Sequence, residues 1–458
     1  MVSQEFQAIV LAGGRGSRLP EVLGNAPKCL LPIGPYPLLW FPLNLLQQHN
    51  FQEAIVIVLE TEKSEIQQTL ERTPLKIKLD FVSIPSDHDF GTADSLRYIH
   101  DKIKSDFIVL TCDIVTNVSL YPLINKFRQH DASVAALLFK SGFELDVTVP
   151  GPKSKHKPER DLIGIHPDSQ RLLFLASTSD FDEVMNVNAH LLRKNKKMVI
   201  YSRLVDSHIY VLKKWVVDFL IKKDHFTTLK GEFLPYIIKK QMSKKTVSNV
   251  PDTQSEIGVS NKQEDDIFNF IPQTNLDQQI QKTTLYNDTR SAEPYNGDLV
   301  RCYAIEAPKD KIGVRVNTTL SFFAINQKLS SIWSQLCGEQ LHPLVSPNSV
   351  VSSTQTKEIA VAENAKLSEK TSLNFSVFGS NCTVHPKNII NKSLILAGAL
   401  VEEGCNIENC IIGHKAVVKK GSILKHCLIG PGFIVEESTQ KQMQHLTNAD
   451  GFMEIDIQ

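Results

Sequence analysis

A Gly-rich turn that carries basic residues follows the first apolar run of the chain, Ala8 to Leu11. Glycines have no side chains to block a ligand, so the backbone N–H groups of such a turn can point at anionic oxygens. Twelve residues after the last of these glycines, a lysine on a Pro-Lys step adds positive charge. We therefore predict a phosphate cradle formed by Gly13, Gly14, Arg15, Gly16, Arg18 and Lys28.

Two common phosphate-binding motifs do not fit this turn. A Walker loop requires Gly-Lys-Ser/Thr after four spacer residues, and a dinucleotide fingerprint requires a third glycine where Leu19 stands. A lone Gly-rich turn can also be an ordinary tight turn. The Pro-Lys step that accompanies it favours the phosphate-binding interpretation over the tight turn.

Composition limits the classes of function. The 50 basic and 50 acidic residues cancel, so no global field attracts nucleic acid or a membrane surface. The eight cysteines include no Cys-x-x-Cys pair, no secretory leader is recognised, and no apolar run is long enough to cross a bilayer. We therefore expect a cytosolic protein without disulfides, metal, cofactor, direct nucleic-acid contact or membrane contact.

Residues 1–240 alternate short apolar runs with helical patterns, which is typical of an α/β domain whose mostly parallel sheet is covered on both faces. Ligands bind such sheets beyond the carboxyl ends of the strands. Both the Gly-rich turn and Asp113 fall at such ends. The strands are predicted at residues 8–11, 54–59, 77–82, 107–112 and 132–139.

A polar stretch, 241–298, follows and is predicted to be a flexible insertion or linker. Within it, the island Asp265–Pro272 mixes acidic and aromatic residues. This island either docks on a partner or carries hydrophobic residues without a function. Residues 299–345 are predicted to connect the domains by a strand and a helix, and 441–458 to form a C-terminal tail.

Residues 346–440 contain a repeat in which apolar residues recur in steps of six, six and five. Three short strands per coil of seventeen residues predict a triangular parallel β-helix of hexapeptide repeats, with one inward apolar side chain on each face. Gly404 and Gly421 lie one coil apart and are expected at a turn. The predicted inward residues are Val361, Leu367, Leu373, Phe378, Val384, Ile390, Ile395, Val401, Ile407, Ile412, Val418, Leu424, Ile429 and Val435.

Two further groups in the repeat invite a functional interpretation. Cys410 and Cys427 are one coil apart, but no ligand set completes a tetrahedral metal site, so small side chains at equivalent positions are favoured. His385, His414 and His426 offer the histidine base of an acyltransferase of this architecture. Structural roles are favoured for them too, because no protruding acceptor loop is evident.

Together, the Gly-rich turn and the Pro-Lys step resemble the signature of the nucleotide-sugar pyrophosphorylase family, whose members bind a nucleoside triphosphate on this turn. The resemblance implies a nucleotidyltransferase-like, Rossmann-like sheet domain followed by a left-handed β-helix. It also implies that Asp113 stands where those enzymes bind magnesium. One carboxylate is not a metal site, and no second metal ligand is assigned.

The sequence departs from that family at two places. Phe174 is followed by Leu-Ala-Ser-Thr, where the active enzymes carry Glu-Lys-Pro for the sugar phosphate, and Leu23 stands where they have a hydroxyl. Stabilisation of transition-state charge depends on such groups, so their loss predicts a site without catalytic residues. The remaining degenerate nucleotide-binding site would comprise Gly13, Gly14, Arg15, Gly16, Arg18, Lys28 and Asp113.

Longer segments closely resemble the gamma-subunit family of eukaryotic initiation factor 2B, namely 27–46, 91–99, 159–175, 208–220 and 315–327. The resemblance implies a subunit of the guanine-nucleotide exchange factor that reloads initiation factor 2 with GTP. It implies as partners the epsilon subunit, a core of alpha, beta and delta subunits, and initiation factor 2 as substrate. In that family the exchange step belongs to a helical domain of epsilon, and this chain is not expected to have such a domain.

Three functions are therefore considered for the chain. The first is a scaffold and substrate-docking subunit of the exchange factor. The second is a magnesium-dependent nucleotide-sugar pyrophosphorylase of the GDP-mannose type. The third is a nucleotide-sugar sensor, in which the cradle binds its ligand without chemistry.

Overall fold

The computed structural model describes residues 5–447, except 25, 88, 144–145, 153–159, 179–186, 188, 196, 244–265, 273–278, 280–297 and 339–341. Within the described residues, an α/β part comes first and a parallel β-helix second, with two consecutive helices between them. Most of the predicted insertion and most of the predicted C-terminal tail lie outside the described residues.

The strands of the α/β part are short and mostly apolar. Their bounds are β1 Gln7–Leu11, β2 Pro32–Ile33, β3 Tyr36–Pro37, β4 Glu53–Leu59, β5 Lys78–Ile84, β6 Phe107–Thr111, β7 Ile114–Thr116, β8 Val134–Lys140, β9 Asp161–Ile165, β10 Leu172–Ser177, β11 Val199–Tyr201, β12 Leu204–Leu212, β13 Cys302–Glu306 and β14 Gly313–Arg315.

Seven of these strands form the main sheet in the order β13-β8-β12-β6-β1-β4-β5. β1 runs parallel to β4 and β6, β4 to β5, and β8 to β13, whereas β12 is antiparallel to both β6 and β8. The predicted mostly parallel sheet is therefore confirmed, with one reversed strand. β13 follows the polar insertion in sequence, so residues on both sides of that insertion build the same sheet.

Helices cover both faces of this sheet. Because side chains alternate along a strand, Ile9 and Leu11 pack into one core, while Ala8 and Val10 pack into the other. None of the helices in the described part of the chain is long and apolar enough to cross a membrane. The α-helices are Pro20–Leu23, Trp40–Gln48, Lys63–Glu71, Thr92–Tyr98, Tyr121–Gln129, Ala189–Lys194, Lys214–Ile221, Leu234–Lys240, Thr319–Gln327 and Leu329–Cys337; 3-10 turns are Lys28–Leu30, His100–Lys102 and Ile267–Asn269, and Leu229–Phe233 is a π-helix.

The two ends of the polar insertion are held by one side chain. Arg171 donates from Nε to Oε1 of Gln241 over 3.0 Å, and its Nη1 lies 2.7 Å from Oδ2 of Asp298. Between these ends, Ile267 and Phe268 are buried in the core of the α/β part. Ile267 and Phe268 of the predicted island therefore pack against their own chain, whereas Phe270 and Ile271 are only partly buried there.

The β-helix has three faces, and each face is a parallel sheet of six short strands. Paired residues on successive coils are mostly seventeen positions apart, as in the pair Leu373 and Ile390. All the predicted inward residues are buried in a single core, which confirms the repeat. The strands are β15 Val350–Val351, β16 Gln355–Lys357, β17 Ala360–Val361, β18 Lys366–Leu367, β19 Ser372–Asn374, β20 Val377–Phe378, β21 Thr383–Val384, β22 Ile389–Asn391, β23 Leu394–Ile395, β24 Leu400–Val401, β25 Asn406–Glu408, β26 Ile411–Ile412, β27 Val417–Val418, β28 Ile423–Lys425, β29 Leu428–Ile429, β30 Ile434–Val435, β31 Gln440–Gln442 and β32 His445–Leu446.

Glycines serve the β-helix in two different ways. Gly404 and Gly421 have φ values of 75° and 71°, and they lie in a column of left-handed residues at one corner, as expected. Gly379 and Gly413 have no such φ. At these two positions an added Cβ would lie 2.6 Å from backbone atoms of the next coil, so the coils can stack only if the side chain is absent.

A ladder of small polar side chains explains the two cysteines of the repeat. Ser393 Oγ accepts a hydrogen bond from the backbone N–H of Cys410 over 3.1 Å, and Cys410 Sγ accepts one from the N–H of Cys427 over 3.3 Å. Ser376 starts the same ladder one coil earlier by accepting from the N–H of Ser393. The two cysteines thus fill equivalent positions, and Cys410 caps a backbone N–H of the next coil.

One face of the β-helix packs against the rest of the molecule through a seam of apolar residues. Outward-facing side chains of this face, such as Leu394 and Ile411, share a core with the helices Thr319–Gln327 and Leu329–Cys337. The Tyr36, Trp40 and Trp333 rings stack in the same core. The segment after the Pro-Lys step therefore joins the α/β part to the β-helix.

Candidate phosphate-binding cleft

A cleft of about 480 Å³ opens beside the turn that follows β1. Its lining includes five of the residues that the sequence analysis selected. Asp113 lies beneath the cleft and is not part of its lining, and Gly13 packs against Ile84 instead of facing the cleft. The predicted residues that line the cleft are Gly14, Arg15, Gly16, Arg18 and Lys28.

The glycines of the turn differ in what they permit. Gly16 has a φ of 69°, which glycine adopts without strain, and an added Cβ would lie 2.5 Å from the Leu23 side chain and 3.1 Å from Cβ of Lys28. Gly14 has open space around its Cα. Gly16 therefore lets the turn close onto Lys28, while Gly14 leaves room for a ligand.

The basic side chains of the turn have protein partners. Arg15 donates from Nη2 to the carbonyl oxygen of Ser86 over 2.6 Å, at the carboxyl end of β5. Lys28 lies on the 3-10 turn after Pro27, and its Nζ is 2.7 Å from Oδ2 of Asp113. The charge of Lys28, which the sequence analysis assigned to a ligand, is thus matched by a carboxylate of the chain.

Asp113 lies at the centre of a buried ion triad, which we define as Lys28, Asp113 and Arg315. Its Oδ2 lies 3.3 Å from Nη2 of Arg315 in addition to the Lys28 contact, and its Oδ1 accepts a hydrogen bond from the Thr111 hydroxyl over 2.6 Å. The Asp113 residue is 3% exposed. Both carboxylate oxygens are therefore occupied by donors from the chain.

The balance of charges decides the ionisation of Asp113. Burial raises the pKa of this carboxyl group, but Lys28, Arg315 and His208 oppose burial and together hold the pKa well below its usual range. Asp113 is consequently a carboxylate at neutral pH. Its negative charge neutralises one of the two cations, which leaves the ion triad with a net positive charge.

Arg315 reaches Asp113 because of a strand pairing that is distant in sequence. β14 pairs antiparallel with β7, which places Arg315 opposite Ile114, and the N–H of Val316 donates to the carbonyl oxygen of Asp113 over 2.7 Å. Gly313 permits this close approach, since a Cβ there would overlap the Phe139 ring. The sequence predicted a strand in this connector but did not assign Arg315 to the site, because the pairing of β14 with β7 joins segments that are distant in sequence.

A bulge in β12 brings a histidine to the cleft. The register of β12 against β8 shifts between Asp206 and Tyr210, and His208 within the shift has a φ of 57°. The Asp206 carboxylate stabilises this conformation by accepting the N–H of His208 over 2.9 Å and the hydroxyl of Tyr210. Bulges of this kind re-aim side chains beside functional sites.

The lining of the cleft also includes neutral residues and a further lysine. Ala176 and Ser177 line it at the place where the resembled enzymes carry Glu-Lys. Lys230 also lines it, but its Nζ is 2.9 Å from Oδ1 of the fully buried Asp161. The sequence alone did not indicate Lys230 either, because its partner Asp161 lies 69 residues earlier in the chain.

The other candidate groups of the sequence, the histidines of the β-helix and possible metal ligands, do not form a second site in the described residues. His414 is largely buried at the seam, and burial lowers its pKa, while His426 Nδ1 lies 2.9 Å from Nδ2 of Asn409. Among the residues that the structure describes, no group of three or more His, Cys, Asp or Glu side chains is arranged to hold a metal ion. The cleft is therefore the candidate that the sequence analysis and the geometry share.

Comparison with known proteins finds a family match within each of the two parts. Residues 7–144 match the family described as nucleotidyl transferase, and residues 346–426 match the family described as GlmU-like, C-terminal hexapeptide. These matches agree with the sheet order and with the three faces of the β-helix.

Three similar curated proteins share one name, translation initiation factor eIF2B subunit gamma. The protein of Schizosaccharomyces pombe is 32% identical over 244 residues, which is 52% of this chain and 52% of that protein. The Caenorhabditis elegans protein is 31% identical over 245 residues, 52% of this chain and 59% of that protein. The Dictyostelium discoideum protein is 23% identical over 409 residues, 84% of this chain and 89% of that protein. The chain thus spans about half the length of the first two relatives and most of the third.

Proposed function

We propose that the chain belongs with the eIF2B gamma subunits, within the nucleotidyltransferase-like superfamily, and that it is a non-catalytic subunit of that initiation factor. In this proposal it pairs with an epsilon subunit, and the pair joins a core of alpha, beta and delta subunits in the cytosol. Together they promote GDP-to-GTP exchange on initiation factor 2, which this chain helps to dock.

The ion triad carries the non-catalytic part of the proposal. Transfer of a nucleotidyl group depends on cations that neutralise the phosphates as charge develops. Here the Asp113 carboxylate is committed to Lys28 and Arg315, and Lys230 is committed to Asp161. A ligand would have to break these buried ion pairs before the same groups could act on its phosphates.

The neutral residues of the cleft support the same conclusion. Ala176 and Ser177 offer no charge to a sugar phosphate at the position where the enzymes have a lysine. Loss of one donor to a developing charge typically costs about 10²–10³ in turnover. The loss of this lysine, and of the hydroxyl at Leu23, leaves the main cores on the two faces of the sheet in place.

Two measurements on the full-length chain test this proposal. Affinity purification from cells that express it, with partners identified by mass, is expected to recover an epsilon-like subunit. Incubation with magnesium, GTP and mannose 1-phosphate is expected to release no pyrophosphate above background. Pyrophosphate release at about 1 s⁻¹ or faster, which is the lower end of ordinary enzyme turnover, would establish the GDP-mannose-type pyrophosphorylase instead.

A matched pair of variants separates binding from chemistry in the cleft. Lys28→Ala removes the cradle lysine, whereas Lys63→Ala removes a lysine of an exposed helix outside the cleft. Titration calorimetry with GTP and with nucleotide sugars is then compared among the three proteins. Heat that only Lys28→Ala abolishes would support the sensor function, and absence of heat from the unaltered chain would exclude it.

A further inference from the structure

The ion triad places two cations where the resembled enzymes bind a divalent metal. Lys28 Nζ and Arg315 Nη2 lie 2.7 and 3.3 Å from the same oxygen, Oδ2 of Asp113. All three side chains are nearly buried, with exposed fractions of 12%, 10% and 5% for Lys28, Arg315 and Asp113. Water therefore screens this arrangement little.

The donor set does not fit magnesium. A magnesium ion requires oxygen ligands in octahedral geometry at about 2.0–2.1 Å. Asp113 Oδ2 already receives two cationic donors, and Oδ1 receives the Thr111 hydroxyl over 2.6 Å. A dication at bonding distance from Oδ2 would stand beside an ammonium and a guanidinium in a region of low dielectric constant, where like charges repel strongly.

Two other buried carboxylates of the α/β part, Asp161 and Asp206, are already engaged. Asp161 accepts the N–H of Asp206 over 3.0 Å and pairs with Lys230, and Asp206 accepts the Tyr210 hydroxyl. Each of these carboxylates already has its own donors. A metal at Asp113 would gain no second carboxylate from them without breaking the buried contacts that hold the β12 bulge.

We propose that Arg315, together with Lys28, takes the place of a divalent cation at Asp113, so that this chain excludes magnesium from the position. The β7–β14 pairing holds the guanidinium there, and the permanent charge of arginine makes the replacement independent of pH. This inference rests on the proposed non-catalytic function and gives it a physical cause, because a fixed cation occupies the place of an exchangeable one.

Manganese binding to the full-length chain tests the inference. Manganese serves as the probe, and the unbound ion is measured by electron paramagnetic resonance. The unaltered chain is expected to bind no manganese at Asp113 at millimolar concentration. Arg315→Gln removes one cation and is expected to raise manganese affinity by at least about tenfold, the scale on which neighbours of a ligand change metal affinity.

Two control variants show whether any bound manganese lies at Asp113. Arg315→Lys retains a cation and is expected to exclude manganese like the unaltered chain, whereas adding Asp113→Asn to Arg315→Gln is expected to abolish the new site. Stoichiometric binding by the unaltered chain that Asp113→Asn removes would overturn the inference, even if Arg315→Gln fails to fold. Equal affinity in a folded Arg315→Gln and the unaltered chain would overturn it as well. Neither result depends on recovery of an epsilon-like partner, so the proposed function is judged separately.

Discussion

Replacement of Asp113 by alanine is expected to destabilise the α/β part strongly. At an effective dielectric constant of about 20, the attractions over 2.7 and 3.3 Å are worth about 6 and 5 kcal/mol respectively. The desolvation of three nearly buried charges offsets most of this gain. Removing the shared anion, however, leaves Lys28 and Arg315 buried beside each other without a counter-ion. We therefore expect a loss of about 3–5 kcal/mol in the free energy of unfolding.

Urea unfolding of the full-length chain, followed by tryptophan fluorescence, measures this loss. The matched control is Asp80→Ala, which removes a carboxylate whose pair with Lys102 is about half exposed. That exposed pair is expected to contribute less than about 1 kcal/mol. Equal losses for Asp113→Ala and Asp80→Ala would refute the conclusion that the ion triad is a buried and interdependent unit.

The pH dependence of the loss in unfolding free energy caused by Asp113→Ala provides a further check. The pKa of Asp113 in the folded chain lies below its ordinary value of about 3.9, because Lys28 and Arg315 outweigh burial. A lowered pKa means that the stabilisation is fully present above the ordinary value and is lost as the pH falls through the folded value. The difference between the unaltered chain and Asp113→Ala should be constant from pH 5 to 8 and should shrink only in stronger acid. A difference that already shrank as the pH fell from 7 to 5 would contradict the assigned ionisation.

Three pairs of substitutions test the β-helix by thermal or urea unfolding. Ser393→Ala removes the acceptor for the buried N–H of Cys410 and should cost about 1–3 kcal/mol, whereas Ser393→Cys should cost less because its neighbour uses sulfur in the same role. Gly413→Ala should destabilise the β-helix more than Gly404→Ala does. A Cβ at position 413 would lie 2.6 Å from backbone atoms of the next coil, whereas Gly404 has open space around it. Equal losses in the free energy of unfolding would contradict the stacking argument. Leu394→Ala, at the seam, should lower the free energy of unfolding by about 2–5 kcal/mol, which is more than Leu400→Ala should lower it on another face. The reverse order would show that the seam contributes little.

The repeat was predictable because its period is local and strict. Each inward position from Val361 to Val435 recurs after five or six residues, and every one is buried in the structure. The face that forms the seam also carries a sequence signal that the analysis did not use. Its strands, such as Leu394–Ile395 and Ile411–Ile412, are apolar at both positions, whereas the other faces alternate an apolar residue with a polar or partly exposed one.

Long-range pairing explains what the sequence analysis missed in the α/β part. β12 contains Asp206, Ser207 and His208 in its bulge, so it does not read as an apolar run. β13 lies beyond the polar insertion, and nothing local indicates that it returns to the main sheet beside β8. Arg315 reaches Asp113 across about two hundred residues. The turn residues and Asp113 could be predicted from the sequence, but Arg315 and the pair of Lys230 with Asp161 could not.

The rate of GDP release from initiation factor 2 tests the proposed role of this chain most directly. The exchange complex is assembled with and without this chain, and the release of labelled GDP is followed at equal epsilon concentration. We predict that the complex containing the chain releases GDP faster than the complex lacking it, and that the chain alone releases none. Identical rates with and without the chain would contradict its assignment as a supporting subunit.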